Sequence, residues 1–489
     1  MPNEIKTYDL VIIGGGPAGI VGAATAKACH KTVAVVDNHH ELGGAGVNTG
    51  TVPSKTLRET ALALSGIKAR QLIGMDFSLK QEATVADFLR HEQHVKEGFN
   101  TMIFQQLRAR QADVFFGTGV FVDAHTIRVQ PGQTRPGWAQ GAGEGGEVVI
   151  RGENVIIATG SSPFRPAVFP FGSPEVYDSD TILQLDRLPK RLAVVGAGVI
   201  GSEYACTFAI LGAAVELIDA REVLLPFLDR EVSRALVGAM EHNGVAFRWK
   251  EEVRECRAGG AGGIRLSFSS GATLTVNAVL VAAGRRSNTE KLNLPAAGVA
   301  MGERGLIPVD DHFRTNVPHI YAAGDVIGFP ALASTSMEQA RRAVHNALGV
   351  EVRAGISHLL PNGIYTIPEV SMVGETEESL TKEGVDYVVG RANYRDNARG
   401  RIIGDLDGFL KLLFRREDMK LLGVHIMGEQ ATEIVHIGLM AVLAGSTADV
   451  FVEACFNAPT LGALYKSATI DAMLKATGTE VSLTALAEA

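Results

Sequence analysis

Residues 9–37 read DLVIIGGGPAGIVGAATAKACHKTVAVVD. An apolar strand, Asp9 to Ile13, runs straight into Gly14-Gly15-Gly16-Pro17-Ala18-Gly19, and an alanine-rich helix follows from Ile20 to about Cys29. A second strand, Thr32 to Val36, ends at Asp37. Gly14, Gly16 and Gly19 form a GxGxxG turn between strand and helix. Such glycines permit a tight turn and let the backbone approach a pyrophosphate, which sits on the helix N-terminus. An acid at the end of the second strand accepts hydrogen bonds from ribose hydroxyls. A bare GxGxxG arises easily in a glycine-rich chain. Flanked by two strands and an acid at this distance, it predicts a dinucleotide-binding βαβ unit.

The same unit recurs about 180 residues later. Leu192 to Val195 is the strand, Gly196, Gly198 and Gly201 are the turn glycines, and Val215 to Ile218 is the second strand, ending at Asp219. Two such units imply two dinucleotides, or one dinucleotide and one decoy. Glu203 stands two residues beyond the second turn, and Arg221 two residues beyond Asp219.

Composition agrees with an α/β chain. The 489 residues exceed one compact core and predict several domains, and 46% hydrophobic content with 55 glycines suits buried strands joined by glycine turns. A net charge of −8 with no basic tract argues against nucleic acid as a partner. No stretch approaches the roughly 18 to 20 apolar residues of a membrane helix. Cys29, Cys206, Cys256 and Cys455 are widely separated, form no metal spacing, and are expected to be buried free thiols in a reducing compartment. A cytoplasmic location follows.

Between and beyond the two units the pattern stays legible. Ala83 to Arg110 predicts a long surface helix, Val114 to Val122 strands around Gly117 and Gly119, and Gln130 to Gly146 a hairpin loop. Glu147 to Ile157 returns to strand and ends in Ala158-Thr159-Gly160-Ser161. Asn277 to Asn288 holds a strand that leads to Gly284, Thr315 to Val326 a strand that leads to Gly324-Asp325, and a helix is predicted from about Ser334 to Leu348. From about Pro361, strands at Tyr365–Val373, Gly408–Phe414 and Leu421–Met427 precede helices at Ala431–Ala444 and Leu464–Ala476. His436 falls on an apolar helix face and reads as packing.

Gly43 to Lys55, GGAGVNTGTVPSK, resembles the redox-active segment of the flavoprotein disulfide reductases, whose pattern is GG-x-C-x4-C-x-P-x-K. Gly46 stands in place of the first cysteine and Thr51 in place of the second. The C-terminal His-Pro-Thr-x-x-Glu of that family is here Ala458-Pro459-Thr460-Leu461-Gly462-Ala463, so its acid/base pair is absent too. Tyr177-Asp178-Ser179-Asp180, Phe227-Leu228-Asp229, Gly324–Gly328, Gly363–Glu369 and Cys455-Phe456-Asn457 are similar to the soluble pyridine nucleotide transhydrogenases within that family, which also carry Thr at the position of Thr51.

The resemblance implies two Rossmann-like domains and a C-terminal α+β dimerisation domain. They are expected as an FAD domain in two parts (1–165 and 290–360), an NAD(P) domain (166–289) and an interface domain (361–489) that makes a homodimer or higher homo-oligomer. FAD would lie against Gly14, Gly16, Gly19, Asp37, Gly44, Gly119, Thr159, Gly160, Ser161 and Asp325. NAD(H) would lie against Gly196, Gly198, Gly201, Asp219 and Gly284. Lys55, paired with Glu203, would sit beside flavin N5. The helix after Asp325 would direct its positive end at the flavin. Asp219 favours NAD(H), making NADH the better reductant, while Arg221 draws the extra phosphate of NADP(H).

The activity implied is hydride exchange between nicotinamide dinucleotides through the flavin, without a dithiol. Two alternatives remain open at this stage. One is an NADH:acceptor oxidoreductase, with a small electron acceptor in a pocket made by the small residues Gly46, Thr51, Ala458 and Ala463. The other is a non-enzymatic flavoprotein subunit.

Overall fold

The computed structural model describes residues 5–65, 85–132, 147–259, 263–351 and 359–478. Most of the loop expected over Gln130–Gly146, and the first residues of the helix expected from Ala83, lie outside them.

β1 (Lys6–Ile13) is buried from Leu10 onward, as a strand covered on both faces must be. Helix α1 (Pro17–Ala28), opened by Pro17 in its first turn, carries the chain to β2 (Val33–Asp37), parallel to β1. Helices α2 (Gly44–Asn48), α3 (Thr51–Ser65) and α4 (Val85–Ala109) follow. β3 (Asp113–Phe121) is one continuous strand: its first half pairs parallel with β2, its second half antiparallel with β4 (Thr126–Pro131). β5 (Val148–Ile157) pairs with β4 and then runs parallel beside β1. The long strands thus leave the nucleotide sheet at one end as a three-stranded meander.

After β6 (Ser161–Pro163) the chain builds a second parallel sheet. β7 (Val176–Asp178), β8 (Arg191–Val195), β9 (Ala214–Asp219), β10 (Val245–Trp249) and β14 (Ala278–Val281) lie in the order β10-β9-β8-β14-β7. α5 (Val199–Ile210) and α6 (Arg230–His242) connect them, and β11 (Val253–Ala258), β12 (Ile264–Phe268) and β13 (Thr273–Val276) form an antiparallel meander before β14. β15 (Arg285–Ser287) pairs antiparallel with β6, so the outgoing and returning chains run side by side. β16 (Ile320–Ala322) rejoins the first sheet next to β5, and α7 (Ala333–Ala347) packs on α1, where Gly22 faces Ala340 and Val344.

The C-terminal part is an antiparallel sheet in the order β17-β18-β21-β20-β19, made of β17 (Asn362–Ile364), β18 (Val370–Gly374), β19 (Tyr387–Asn393), β20 (Phe409–Arg415) and β21 (Leu421–Met427). α8 (Glu377–Glu383) starts at a capping box between Thr376 and Ser379. α9 (Ala431–Leu443) packs on β18 and β21, and α10 (Leu464–Ala476) on β19 and β20. Met440, Leu443, Val450 and Met473 remain exposed on this part of the single chain.

Three expectations need correction. The strand expected over Tyr365–Val373 begins only at Val370: β17 ends before Tyr365, and between the two strands Thr366 and Glu369 bind Arg58 on α3. The strand expected in Thr315–Val326 is only Ile320–Ala322. All four cysteines are free, but only Cys206 and Cys256 are buried, whereas Cys29 is partly exposed and Cys455 is exposed. Burial pushes the Cys206 thiol up to about 12 and that of Cys256 to about 11, so neither is a ready nucleophile.

Candidate active site: one cavity reached by both nucleotide units

The two glycine turns are built alike at their first and last glycines. Gly14 and Gly196 have φ of 114° and 105°, which favours glycine, and a Cβ on either would stand 2.2 or 2.4 Å from the carbonyl oxygen of Ala158 or Ala282. A Cβ on Gly19 would fall 1.8 Å from the Gly14 oxygen, and one on Gly201 1.9 Å from the Gly196 oxygen. These last glycines let each helix close on its own turn. The strand-end acids match as well. Asp37 accepts from the Gly15 and His39 amides, and Asp219 from the Ala197 and Arg221 amides. Burial pushes the Asp37 carboxyl above its usual range despite those amides.

Between the turns lies one cavity of about 1610 Å³. From the first unit its walls include Gly14, Gly16, Asp37, Gly44, Lys55, Gly119, Thr159, Gly160, Ser161 and Asp325. From the second they include Gly198, Glu203 and Gly284. Gly19, Gly196, Gly201 and Asp219 are not on its walls. The three glycines serve the turns, and Asp219 serves the hydrogen bonds described above.

Two features of the walls fit an elongated dinucleotide. At Gly160, Gly198 and Gly284 a Cβ would meet nothing within 4 Å, so the backbone there is bare toward open space. The Thr159 hydroxyl is buried with no hydrogen-bond partner among the described residues, which suits a bound polar ligand. The start of α7 also borders the cavity, through Ala333, Ser334 and Ser336. Asp325 accepts from the Ser161 hydroxyl at 2.7 Å. Arg285 donates to the same hydroxyl at 2.8 Å, and its guanidinium lies 3.8 Å from Asp180. This chain of polar groups joins the two nucleotide units. Reading the sequence identified its Ser161 and Asp325 but missed Arg285 and Asp180, whose only signal was their place in stretches already marked by the resemblance.

Lys55 stands one turn into α3 and Glu203 one turn into α5. Their side chains meet at 2.7 Å, with Glu203 almost wholly buried and Lys55 opening partly to the cavity. The expected pair is present. A residue not expected completes it. The Tyr365 amide donates to the other Glu203 oxygen at 2.9 Å, and the Lys55 ammonium lies 4.7 Å from the centre of the Tyr365 ring.

The four small residues do not form one pocket within the chain. Thr51 is exposed on the cavity wall, but a Cβ on Gly46 would stand 2.8 Å from Pro17 Cγ, so the direction a thiol would take is already filled. Ala458 is exposed and Ala463 half-buried, and neither borders the cavity. His436 is not packed: α9 buries Thr432, Val435 and Gly438, which leaves His436 exposed at the cavity's edge. Arg221 lies on Asp219, with Nε at 2.9 Å and Nη2 at 2.8 Å from its two oxygens.

Fold and site define a protein that brings two dinucleotide-binding units to one charged cavity and adds a separate C-terminal sheet. The chain belongs to the pyridine nucleotide-disulphide oxidoreductase family, whose model matches residues 8–347, while the family's dimerisation domain matches residues 360–468. It is 46% identical to a soluble pyridine nucleotide transhydrogenase of Mycobacterium tuberculosis over 96% of this chain and 98% of that one. A soluble pyridine nucleotide transhydrogenase of Pectobacterium atrosepticum is 40% identical over 95% of this chain and 97% of its own length. The crystal structure of LpdA from Mycobacterium tuberculosis superposes with a TM-score of 0.85 at 26% identity, covering 95% of this chain and 99% of that chain. Among the described residues no helix is long and apolar enough to cross a membrane.

Proposed function

We propose that the chain is an FAD-dependent NAD(P)+ transhydrogenase working as a cytoplasmic homodimer, and that it exchanges hydride between nicotinamide dinucleotides without a redox disulfide. The observation that carries this reading is the Lys55–Glu203 pair on a cavity shared by both nucleotide units, with none of the four cysteines on its walls. The two full-length relatives described above support it. FAD held in this cavity would supply the hydride-transfer chemistry, so the chain's own residues need only position and polarise.

The residues are suited to those tasks. Glu203 holds the Lys55 ammonium toward the cavity and offsets its partial burial. The N-terminus of α7 adds positive potential. Val199, small and on the wall, leaves room for a nicotinamide ring. Gly14, Gly16, Asp37, Gly44, Gly119, Thr159, Gly160, Ser161 and Asp325 are assigned to FAD. Gly198 and Gly284 are assigned to the nicotinamide dinucleotide, with Gly19, Gly196 and Gly201 shaping the turns. We assign residues 1–165 and 290–360 to the FAD domain, 166–289 to the NAD(P) domain and 361–489 to the interface domain. The sheet boundaries support that division, and the exposed apolar side chains Met440, Leu443 and Met473 support dimerisation through the last part.

A second reading has its own observation. The cavity continues to Asn362, Met372 and the exposed His436, which leaves space for a small electron acceptor. Anaerobic stopped-flow mixing separates the two. The transhydrogenase reading expects NADH and NADPH each to reduce the flavin, and the reduced protein to pass hydride to the other oxidised coenzyme. Reduction by NADH alone, with no nicotinamide able to reoxidise the flavin, would leave the acceptor oxidoreductase.

A further inference from the structure

We infer that Tyr365 is a positioning residue for the Lys55–Glu203 pair, its ring forming the face against which the Lys55 ammonium is held. The inference rests on the assignment of Lys55 as the working cation of the cavity. A lysine on a four-carbon stem, tied to a single carboxylate, keeps considerable freedom. Here Lys55 has Glu203 Oε2 at 2.7 Å, a distant Ser54 hydroxyl at 3.4 Å, and the Tyr365 ring on a third side. The ring's negative face attracts the ammonium while leaving its remaining N–H directions open.

Tyr365 also fixes the partner, because its amide takes the second Glu203 oxygen. The residue is itself anchored at several points. Arg58, one turn beyond Lys55 on α3, donates through Nε to the Thr366 carbonyl at 3.2 Å and pairs with Glu369 at 3.2 Å. Glu369 in turn accepts from the Thr432 hydroxyl at 2.9 Å, at the start of α9. A tyrosine that only filled the core would not border the cavity or face a cation; Tyr365 does both. The C-terminal part therefore reaches the Lys55–Glu203 pair through Tyr365.

The test uses the FAD-loaded full-length protein with Tyr365→Leu, Tyr365→Phe and Lys55→Met. Tyr365→Leu is expected to keep its flavin, to be reduced by NADH about tenfold more slowly, and to move the flavin midpoint potential toward that of Lys55→Met. Tyr365→Phe, which keeps the ring, is expected to restore both. Should Tyr365→Leu fail to fold, fluorinated phenylalanines at 365 keep the shape and weaken the ring face, and the rate should fall with each fluorine. A Tyr365→Leu enzyme with parental rate and potential beside a crippled Lys55→Met, or a flat fluorine series, overturns the inference. A parental Lys55→Met overturns the assignment of Lys55 and this inference with it.

Discussion

Asp219 ends β9 where a free carboxylate would read a ribose, yet four donors already surround it. The Ala197 amide and Arg221 Nη2 reach one oxygen, and the Arg221 amide and Nε reach the other. Burial raises this carboxyl, but the bonds from Arg221 and the two amides outweigh it and hold the group below its usual range. The pair is therefore neutral as a unit, and the repulsion expected to favour NADH is largely cancelled. Half of the Arg221 side chain stays exposed, with Lys250 and Glu222 paired nearby at 2.7 Å. Adenosine 2′,5′-bisphosphate and AMP test this without any turnover. Arg221→Ala should weaken the bisphosphate by about tenfold or more in calorimetry and change AMP little, since one charge-assisted hydrogen bond is worth about 1.5–3 kcal/mol. Equal losses for both probes would make Arg221 a structural residue. Both residues were legible in the sequence as separate influences. Their bidentate pairing was not, because two residues at the end of a strand meet or part according to a backbone turn that spacing does not determine.

The glycine turns were the most legible elements, because their physical demand is local: a strand, a turn with φ above zero and a helix drawn tight. That locality allows each turn to be tested separately. A methyl group on Gly19 or Gly201 would stand within 2 Å of a carbonyl oxygen, and overpacking of this kind costs about 1–3 kcal/mol or more. Gly19→Ala should purify with little or no yellow colour. Gly201→Ala should keep its flavin absorbance while its apparent affinity for NADH falls by at least about tenfold. The reverse pattern would exchange the two nucleotide assignments. The segment 365–373 was less legible, since its alternating β-type residues read as one strand. Pro368 interrupts it locally, and Arg58, more than 300 residues earlier, takes up the Thr366 carbonyl and the Glu369 carboxylate on either side. The long-range contacts of Arg58 fix the interrupted segment in place, with Tyr365 beside Lys55.

At the scale of the whole molecule, the nucleotide and C-terminal parts are held together by a buried charge that the sequence hides. Lys411 lies in β20 among residues that are buried and apolar from Phe409 to Phe414, and is itself fully buried. Its ammonium pairs with Asp229 at 2.9 Å, with Glu231 at 3.1 Å, and with Glu377. Asp229 also caps α6 through the Glu231 amide. Four residues scattered over nearly 200 positions converge only in the fold, so no local pattern announces them. Burial lowers the Lys411 pKa, but bonds to Glu377 and Asp229 outweigh it and raise it overall. Burial raises Asp229, but the bonds and charge of Lys411, with the Glu377 amide, outweigh it and bring it below its usual value. The signs follow. The depressed Asp229 contributes stability above about pH 4 that is lost as pH falls through its folded value, and the raised Lys411 contributes stability that is lost only above about pH 10. His425, buried and held neutral, adds further loss once the pH drops below about 6.5. Lys411→Met leaves Asp229 and Glu377 facing one another without their cation, Glu231 keeping Arg391, and should cost about 3–5 kcal/mol at pH 7.5, a fall of roughly three to five degrees in melting temperature for a chain of this length. In that variant the acids bind protons more readily when folded than unfolded, so the gap to the parent should narrow between pH 7.5 and pH 5. Thermal melts of the two proteins across that range decide the matter: a gap that is constant or widens toward pH 5 would mean that the cluster fills space rather than balances charge.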